Sequence, residues 1–192
     1  MVTEAAPYPV RFDVEYPDRL SRLLIFVKWL LAIPHFIVLY LLGIVQFLIT
    51  FAAWFIFLFT GRYPRGMFDI VVGVMRWTAN LNAYLMLLRD EYPPFSWEEG
   101  KYPLTFQVDH PERLSRLLIF VKWLFIIPNF IVFYLVAIAY LVTLVIAWFA
   151  ILFTGRYPEG LFRFAVGVFR WSMRINVYLY LLRDEYPPFS LK

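Results

Sequence analysis

The chain has 192 residues, of which 62% are hydrophobic, 21% are aromatic and only 17% are charged. Soluble domains are about half apolar, so this composition excludes an ordinary soluble domain and predicts an integral membrane protein. The net charge of +4 is spread over helix ends without a basic tract, so we expect no nucleic-acid partner, and the lack of cysteine excludes disulfides and zinc–thiolate sites.

Most of the sequence occurs twice. The block RLSRLLIFVKWL begins at Arg19 and again at Arg113, and the displacement of 94 residues then continues to the C-terminal end. An internal repeat of this length indicates a duplicated structural unit. We therefore predict two tandem membrane modules, residues 1–98 and residues 99–192.

The first predicted element of each module is a short strand. Val10, Phe12 and Val14 alternate with charged residues between two prolines, which is the period-two pattern of a strand. The counterpart in the second copy is residues 104–109. We expect the two strands to pair outside the bilayer.

A helix is predicted to begin at Asp18 and to carry a narrow polar stripe. Ser21, Lys28 and His35 are seven residues apart and nearly eclipse on an otherwise apolar helix. A lysine that snorkels from such a helix is typical of a segment lying in the membrane interface. Pro34 is predicted to break or kink this helix.

The next apolar run, residues 36–59, carries no charge and is long enough to cross a hydrocarbon core of about 30 Å. Gly61 is predicted to cap it. A third helix, residues 66–89, has one polar face that includes Arg76, and an opposite polar face with Thr78 and Asn82. Two opposed polar faces favour a helix packed in a bundle, so we expect this helix to cross the membrane as well.

The predicted fold class is thus an all-α integral membrane protein with short extramembrane β-strands. Each module contains an interfacial helix, a transmembrane helix and a polar-striped helix. Since both copies carry the same arginines, the positive-inside rule favours parallel copies with two crossings each. This predicts a multi-pass protein of the cell membrane with both termini in the cytoplasm.

Several basic residues are candidates for binding a lipid or another anion. Lys28 and Lys122 either hold a lipid phosphate together with neighbouring arginines or snorkel to the interface. The arginines of the third helices either line a cavity for an anion or headgroup, or pair with a carboxylate such as Asp90 or Glu91 from another module or subunit. The full candidate set is Arg22, Lys28, Arg76, Arg116, Lys122, Arg170 and Arg174.

Charges at two pairs of equivalent positions are exchanged between the copies. Arg65 and Asp69 of the first copy correspond to Glu159 and Arg163 of the second. Either each pair interacts within its own helix, four residues apart, or the pairs meet across a twofold axis between the modules. The four residues are therefore candidates for a contact between modules.

The blocks RLSRLLIFVKWL, FTGRYP, GVxRW and RDEYPPFS resemble those of a prokaryotic membrane family named domain of unknown function 4389. The resemblance covers nearly the whole chain, twice, and implies no established activity, although some members have been labelled lipases. This sequence has no Gly-x-Ser-x-Gly elbow, and its histidines, His35 and His110, are replaced by Asn129 and Tyr16 in the other copy. We therefore expect no enzyme activity.

The function favoured by these patterns is a non-enzymatic membrane scaffold or accessory subunit that binds membrane lipids. It is expected to form a homo-oligomer or to belong to a larger membrane complex. The alternative is a small transporter or channel lined by the polar faces of the third helices. The adjacent carboxylates Asp90 and Glu91 have no histidine or cysteine beside them, so we expect neither a metal nor a cofactor.

Overall fold

A computed structural model describes residues 8–192, so the first seven residues of the predicted module 1–98 lie outside it. The described chain is mostly helical, and its second half repeats the element order of its first half. In chain order the elements are β1 (Val10–Val14), α1 (Leu24–Leu31), α2 (Ile33–Thr60), α3 (Arg65–Leu85), β2 (Leu104–Val108), α4 (Leu118–Phe125), α5 (Ile127–Thr154) and α6 (Glu159–Leu179).

Helices α1 and α2 form one continuous segment of 37 residues, Leu24–Thr60, and α4 and α5 form an equivalent one, Leu118–Thr154. Backbone hydrogen bonds of 3.0 Å, donated by Ala32 to Lys28 and by Phe36 to Ala32, bridge the junction. The predicted break at Pro34 is therefore only a local interruption. We call the two segments the first rod and the second rod, each about 55 Å long at 1.5 Å per residue.

The ends of the helices agree only partly with the predicted ones. The first rod begins at Leu24 and not at Asp18, and the hydroxyl of Ser21 accepts a 3.3 Å hydrogen bond from the Leu24 amide. The rod ends where predicted, at Gly61, whose positive φ of 69° lets its amide bond back to a helix carbonyl at 2.7 Å. Helix α3 ends at Leu85, earlier than predicted.

The two strands pair in antiparallel register, with Phe12 opposite its own repeat counterpart Phe106. Other contacts between the copies are reciprocal in the same way. The Leu20 amide donates to the Gly155 carbonyl at 2.8 Å, and the equivalent Leu114 amide donates to Gly61 at 3.0 Å. Reciprocal contacts of this kind define a twofold relation, here a pseudo-twofold axis between Phe12 and Phe106.

The strands are exchanged between the copies. Strand β1 of the first copy packs on α6 of the second, and β2 packs on α3. Phe12 is 3% exposed and its ring stacks on Phe169 at 6.3 Å between centroids. The two copies are thus interlocked, and each one completes the core of the other.

The protein consists of three layers stacked along the pseudo-twofold axis. The strand pair lies on one side of α3 and α6, and the rods lie on the other. Arg76 of α3 reaches a carbonyl of β2, whereas Thr78 and Asn82 face a cavity that includes Gln46 of the first rod. The two polar faces of the third helix therefore contact different layers, as expected for a helix inside a bundle.

Both rods lie perpendicular to the axis. The start of each rod contacts the end of the other, through the Leu20–Gly155 and Leu114–Gly61 hydrogen bonds. A twofold rotation preserves height along its axis, so the two starts share one height and the two ends share another. Because a start touches an end, all four lie at about the same height. Ring contacts along the rods agree with this antiparallel arrangement, at 5.3 Å for Phe26–Trp148 and 5.8 Å for Trp54–Phe120.

The rods are apolar and largely uncovered. They are the two helices of the described chain that are long and apolar enough to cross a membrane. Only 11% of the most apolar stretch of the first rod and 17% of that of the second are buried in the protein. A narrow seam that includes Lys28, Ala32 and His35 faces inward. The predicted polar stripe of the first helix thus faces the protein interior and not a membrane interface.

The segment that follows each third helix packs closely against the middle of that helix, at a glycine. A Cβ on Gly73 would lie 3.1 Å from atoms of Trp97, and one on Gly167 would lie 2.8 Å from atoms of Leu191. Such separations are shorter than van der Waals contact, so only glycine fits without a shift of the returning chain.

We expect Gly167→Ala to destabilise the protein by about 1–3 kcal/mol, because overpacking outweighs the gain of up to about 1 kcal/mol in helix propensity. Gly160→Ala is the matched control in the same helix, since a Cβ there meets no atom within 4 Å. Thermal unfolding in detergent measures both. An equal or higher melting temperature for Gly167→Ala than for Gly160→Ala contradicts the close approach.

Candidate functional site

The two lysines proposed to bind lipid lie in the protein interior. Lys28 is 2% exposed, and its Nζ donates to the Arg89 carbonyl at 2.6 Å and contacts the Asp90 carboxylate at 2.8 Å. The ammonium also lies 4.8 Å from the centre of the Tyr84 ring. Lys122 repeats this arrangement in the second copy with Arg183, Asp184 and Tyr178.

The RDEYPPFS block supplies the partners of these lysines and ties the module together. Asp90 also accepts a hydrogen bond from the Ser21 amide, at the start of the first rod. Arg89 donates to the Glu15 carbonyl at 2.9 Å, just beyond β1. Its hydrogen bonds to Glu91 hold the pKa of that carboxyl below its ordinary value. The block therefore closes the module, and its carboxylates are engaged in that role.

The arginines of the third helices hold the strands and the returning chain. Arg76 donates to Phe106 O at 3.0 Å and to Trp97 O at 2.8 Å, and pairs with Glu99 at 2.6 Å. The structure shows Arg76 both paired with a carboxylate and lining a cavity. The carboxylate is Glu99, however, and not Asp90 or Glu91.

Arg170 makes the equivalent contacts in the second copy, to Phe12 O at 2.7 Å and to Asp13 at 3.1 Å. Arg174, one turn further along α6, donates to Lys192 O at 2.7 Å and to Ser190 O at 3.3 Å. These arginines cross-link the layers of the fold.

The four proposed contact residues do not meet across the axis. Glu159 pairs with Arg163 within α6, four residues apart, which is the alternative within one copy. Asp69 lines a cavity beside β2, together with Arg11 and Arg76. Within residues 8–192 neither Arg65 nor Asp69 forms an ion pair with the other copy. The strands make the contact between copies instead, because the axis passes through the sheet.

Both histidines have structural roles that their counterparts reproduce. The Trp77 indole donates to His35 at 2.9 Å, and Trp171 donates to Asn129 at 2.7 Å. In the same way, His110 contacts a carbonyl of the other copy at 3.1 Å, and Tyr16 does so at the equivalent place. In each pair of positions the hydrogen bond is retained while the residue type changes.

Arg22 and Arg116 are the candidates that remain exposed at the surface. Arg116 lies with Arg62 and Arg113 around a cleft of about 630 Å³, where the end of the first rod meets the start of the second. In the described part of the chain, none of these three arginines has a carboxylate partner within 4.0 Å. We call this group the arginine cleft. The equivalent residues at the other pair of rod ends are Arg19, Arg22 and Arg156, with the Arg22 guanidinium beside Gly155.

Arg62 and Arg113 were not predicted to belong to one site. Both residues have an identical counterpart in the other copy, Arg156 and Arg19, which is a signal that sequence alone offers. Nothing local, however, indicates that Arg113, at the start of one rod, lies beside Arg62, at the end of the other. Only the exchanged arrangement of the copies brings them together.

An apolar recess follows the arginine cleft along the same two elements. It has a volume of about 380 Å³ and lies between the later half of α2, helix α4 and the end of α6. Its lining residues are Phe47, Thr50, Phe51, Trp54, Ile119, Lys122, Trp123, Leu179 and Leu181. Lys122 is turned inward to its own partners, so the recess presents mainly aromatic and aliphatic surface.

A small polar cavity lies near the axis between the third helices and the rods. It has a volume of about 170 Å³, and the polar faces of both third helices line it. Its polar lining consists of Gln46, Thr78, Asn82, Ser172, Asn176 and Tyr180. Asn176 donates to the Ser172 carbonyl at 2.8 Å. The predicted second polar stripe of α3 and α6 is thus one shared feature.

Fold and contacts together define a class of protein: two interlocked copies of a helical module, each closed by its own RDEYPPFS block. The sequence profile of a family described as domain of unknown function (DUF4389) matches residues 22–96 and 116–190, about three-quarters of the chain. The chain belongs to this family, in two tandem copies, which confirms the resemblance. No curated protein and no solved structure matches it.

We expect Lys28→Met to lower the free energy of unfolding by about 3–5 kcal/mol, because it leaves the partly buried Asp90 carboxylate without its cation. Lys101→Met is the control, since Lys101 is 58% exposed and its pair with Glu98 at 3.6 Å contributes at most about 1 kcal/mol. Chemical unfolding in detergent, followed by tryptophan fluorescence, measures both.

The double variant Lys28→Met/Asp90→Asn tests whether the two residues act together. Its loss of stability should be smaller than the sum of the single losses, because removal of one partner already disrupts the pair. A strictly additive result, or a Lys28→Met loss no larger than that of Lys101→Met, contradicts a structural ion pair.

Proposed function

We propose that this chain is a non-enzymatic membrane scaffold or accessory subunit that lies in one leaflet of the bilayer. In this arrangement the rods are embedded parallel to the membrane plane, and the strand layer faces water. The observation that carries the proposal is the division of the surface along the pseudo-twofold axis. Uncovered apolar rods lie at one end of the axis and charged strand residues at the other.

The exposed area of the rods requires a nonaqueous neighbour. Side chains such as Leu23, Tyr40 and Phe59 are 72–79% exposed, and they belong to a continuous apolar surface along both rods. Soluble monomers rarely expose apolar patches beyond a few hundred Å². Lipid is the neighbour that covers such a surface at every point along a rod of about 55 Å.

The charged strand layer supports an orientation of the rods in the membrane plane. The axis relates the two antiparallel rods to each other, so it passes between their midpoints. The strand pair is centred on the same axis. If the rods crossed the bilayer, the strand charges would lie near its centre. Arg11 and Asp109 form a 2.8 Å pair there with side chains 62% and 56% exposed. A charge at that depth costs at least about 2.5–3.5 kcal/mol.

Rods in the membrane plane avoid this cost and keep both copies on the same side. They also keep the arginine clefts at the rod ends at one height, where headgroups lie. This orientation differs from the predicted four spans. In parallel copies the twofold axis is perpendicular to the membrane, so rods that cross the membrane would have to lie along the axis, whereas here they lie perpendicular to it. The basic rod ends favour the cytoplasmic leaflet, so we propose that both termini face the cytoplasm.

The twofold relation supports a scaffold role. It gives the water side two cavities at related positions, one lined by Arg11, Asp69 and Glu99 and the other by Asp13, Glu159 and Arg163. Their charges differ, since Asp69 in one cavity corresponds to Arg163 in the other, so each cavity offers a partner subunit or a further copy of the chain its own pattern of charge. We propose these cavities as the contact sites for a homo-oligomer or a larger membrane complex.

A small transporter or channel is the second candidate function, favoured by the polar cavity near the axis. At about 170 Å³, that cavity has room for a few waters or one small polar molecule. Transport would require the cavity to open past Gln46, on the rod side. Solute flux into liposomes that contain the purified chain would favour this function over the scaffold.

The orientation can be tested with single cysteines, since the natural chain has none. Asp18→Cys and Arg65→Cys place a thiol just before and just after the first rod. We expect a membrane-impermeant maleimide to label both from the same side of sealed vesicles. Labelling from opposite sides would show that the rod crosses the bilayer and would overturn the proposed orientation.

Tyr40→Cys tests the embedding itself. Tyr40 lies at the middle of the first rod and is 72% exposed in the protein. We expect its thiol to resist the aqueous reagent in vesicles and to react after the membrane is dissolved in detergent. Arg11→Cys is the matched control, because it is also exposed but lies on the strand layer and should react in both states.

A further inference from the structure

The arginine cleft and the apolar recess are consecutive parts of one surface groove. Both lie between α2 and the region around α4. Thr60 and Arg62 border the cleft, whereas Trp54 and Phe51 border the recess. Six residues of helix separate Thr60 from Trp54, which is about 9 Å. A molecule with a charged head and an apolar tail can therefore occupy both parts at once.

The charge of the cleft selects an anion. Arg62, Arg113 and Arg116 converge on it, and no carboxylate is among its lining residues. Other arginines of the described chain, such as Arg76 and Arg89, satisfy their guanidinium groups with carbonyls and carboxylates. Three arginines that line one cleft, with no carboxylate among its lining residues, give it a positive potential that attracts an anion. Phosphate oxygens accept the bidentate hydrogen bonds that arginine offers.

The lining of the recess indicates that the other part of the ligand is apolar. Its lining is aromatic and aliphatic, with Trp54 packed edge-on against Phe120 at 5.8 Å at the side nearest the cleft. A free phosphate ion would leave this surface uncovered. A phospholipid acyl chain fills it, and van der Waals contacts with the recess hold the chain there, since both lie in the hydrocarbon of the leaflet.

We propose that each arginine cleft binds the phosphate of one anionic phospholipid, with an acyl chain of that lipid in the adjoining recess. This inference rests on the proposed location in one leaflet, which puts the rod ends at headgroup height. Arg19, Arg22 and Arg156 form the equivalent site at the other pair of rod ends, where Trp148 packs on Phe26. The chain therefore binds two anionic lipids.

Native mass spectrometry with phosphatidylglycerol tests the stoichiometry. The wild-type chain should retain two lipids, and Arg113→Gln/Arg116→Gln should retain one, with affinity at the altered site reduced at least about tenfold. Lys101→Gln/Lys192→Gln is the control with the same change in charge. Both lysines are exposed and lie outside the cleft and the recess, so this variant should still retain two lipids.

The remaining measurements separate this proposal from the membrane location. Flotation with phosphatidylcholine vesicles should be the same for wild type and Arg113→Gln/Arg116→Gln, because the rods carry that association. If neither protein floats, the membrane location fails. If both float but phosphatidylglycerol is bound no better than phosphatidylcholine, the lipid site alone fails.

Inorganic phosphate and glycerol phosphate distinguish a lipid from a free anion. Neither should displace phosphatidylglycerol at millimolar concentration, since neither fills the recess. Displacement by either one would reduce the cleft to a simple anion site and overturn the proposal. Equal thermal stability of the two double variants excludes misfolding as the cause of a lost lipid.

Discussion

The pairing of Phe12 with Phe106 is the constraint on which the rest of the structure depends. Two equivalent residues can face each other in an antiparallel ladder only across a twofold axis, so this one register relates the two copies. Each strand then lies on the third helix of the other copy, where Arg76 and Arg170 bind its backbone carbonyls. The exchange has a second consequence at the rods. Because the start of each rod meets the end of the other, the rods lie across the axis and form a single apolar layer.

The basic residues divide according to their position in these layers. Those between the layers, such as Lys28 and Arg76, have carbonyl and carboxylate partners and stabilise the fold. Those at the rod ends, such as Arg62 and Arg116, line a cleft with no carboxylate among its described lining residues. A buried cation without a partner costs several kcal/mol, whereas an exposed one is solvated, so only the first group requires its partners. Location in the fold, and not residue type, separates the charges that stabilise the fold from those that we propose to bind a lipid.

Much of the fold follows from local sequence pattern. The alternation around Phe12 predicted a strand, Gly61 predicted a helix end, and the repeat predicted two equivalent modules, all of which are observed. Features that depend on distant residues were not predictable in this way. The spacing of Lys28 and His35 places both on one face, but it does not tell whether that face meets lipid or the RDEYPPFS block 60 residues later. The arginine cleft is a stronger case, since its members come from different copies and meet only after the strands exchange.

The differences between the copies show which interactions the fold requires. His35 and Asn129 both accept the indole hydrogen bond of an equivalent tryptophan, so an acceptor is needed there and not a titratable base. The recess shows the same rule for apolar groups, because Phe47 and Phe51 become Leu141 and Val145 and remain hydrophobic. The arginines of the clefts, in contrast, are the same in both copies. A solvated surface charge has no structural reason to stay an arginine, whereas a site that grips phosphate with a planar, bidentate group does. The pattern of retained charge beside variable apolar surface is therefore the one expected of a lipid headgroup site with a tolerant acyl-chain recess.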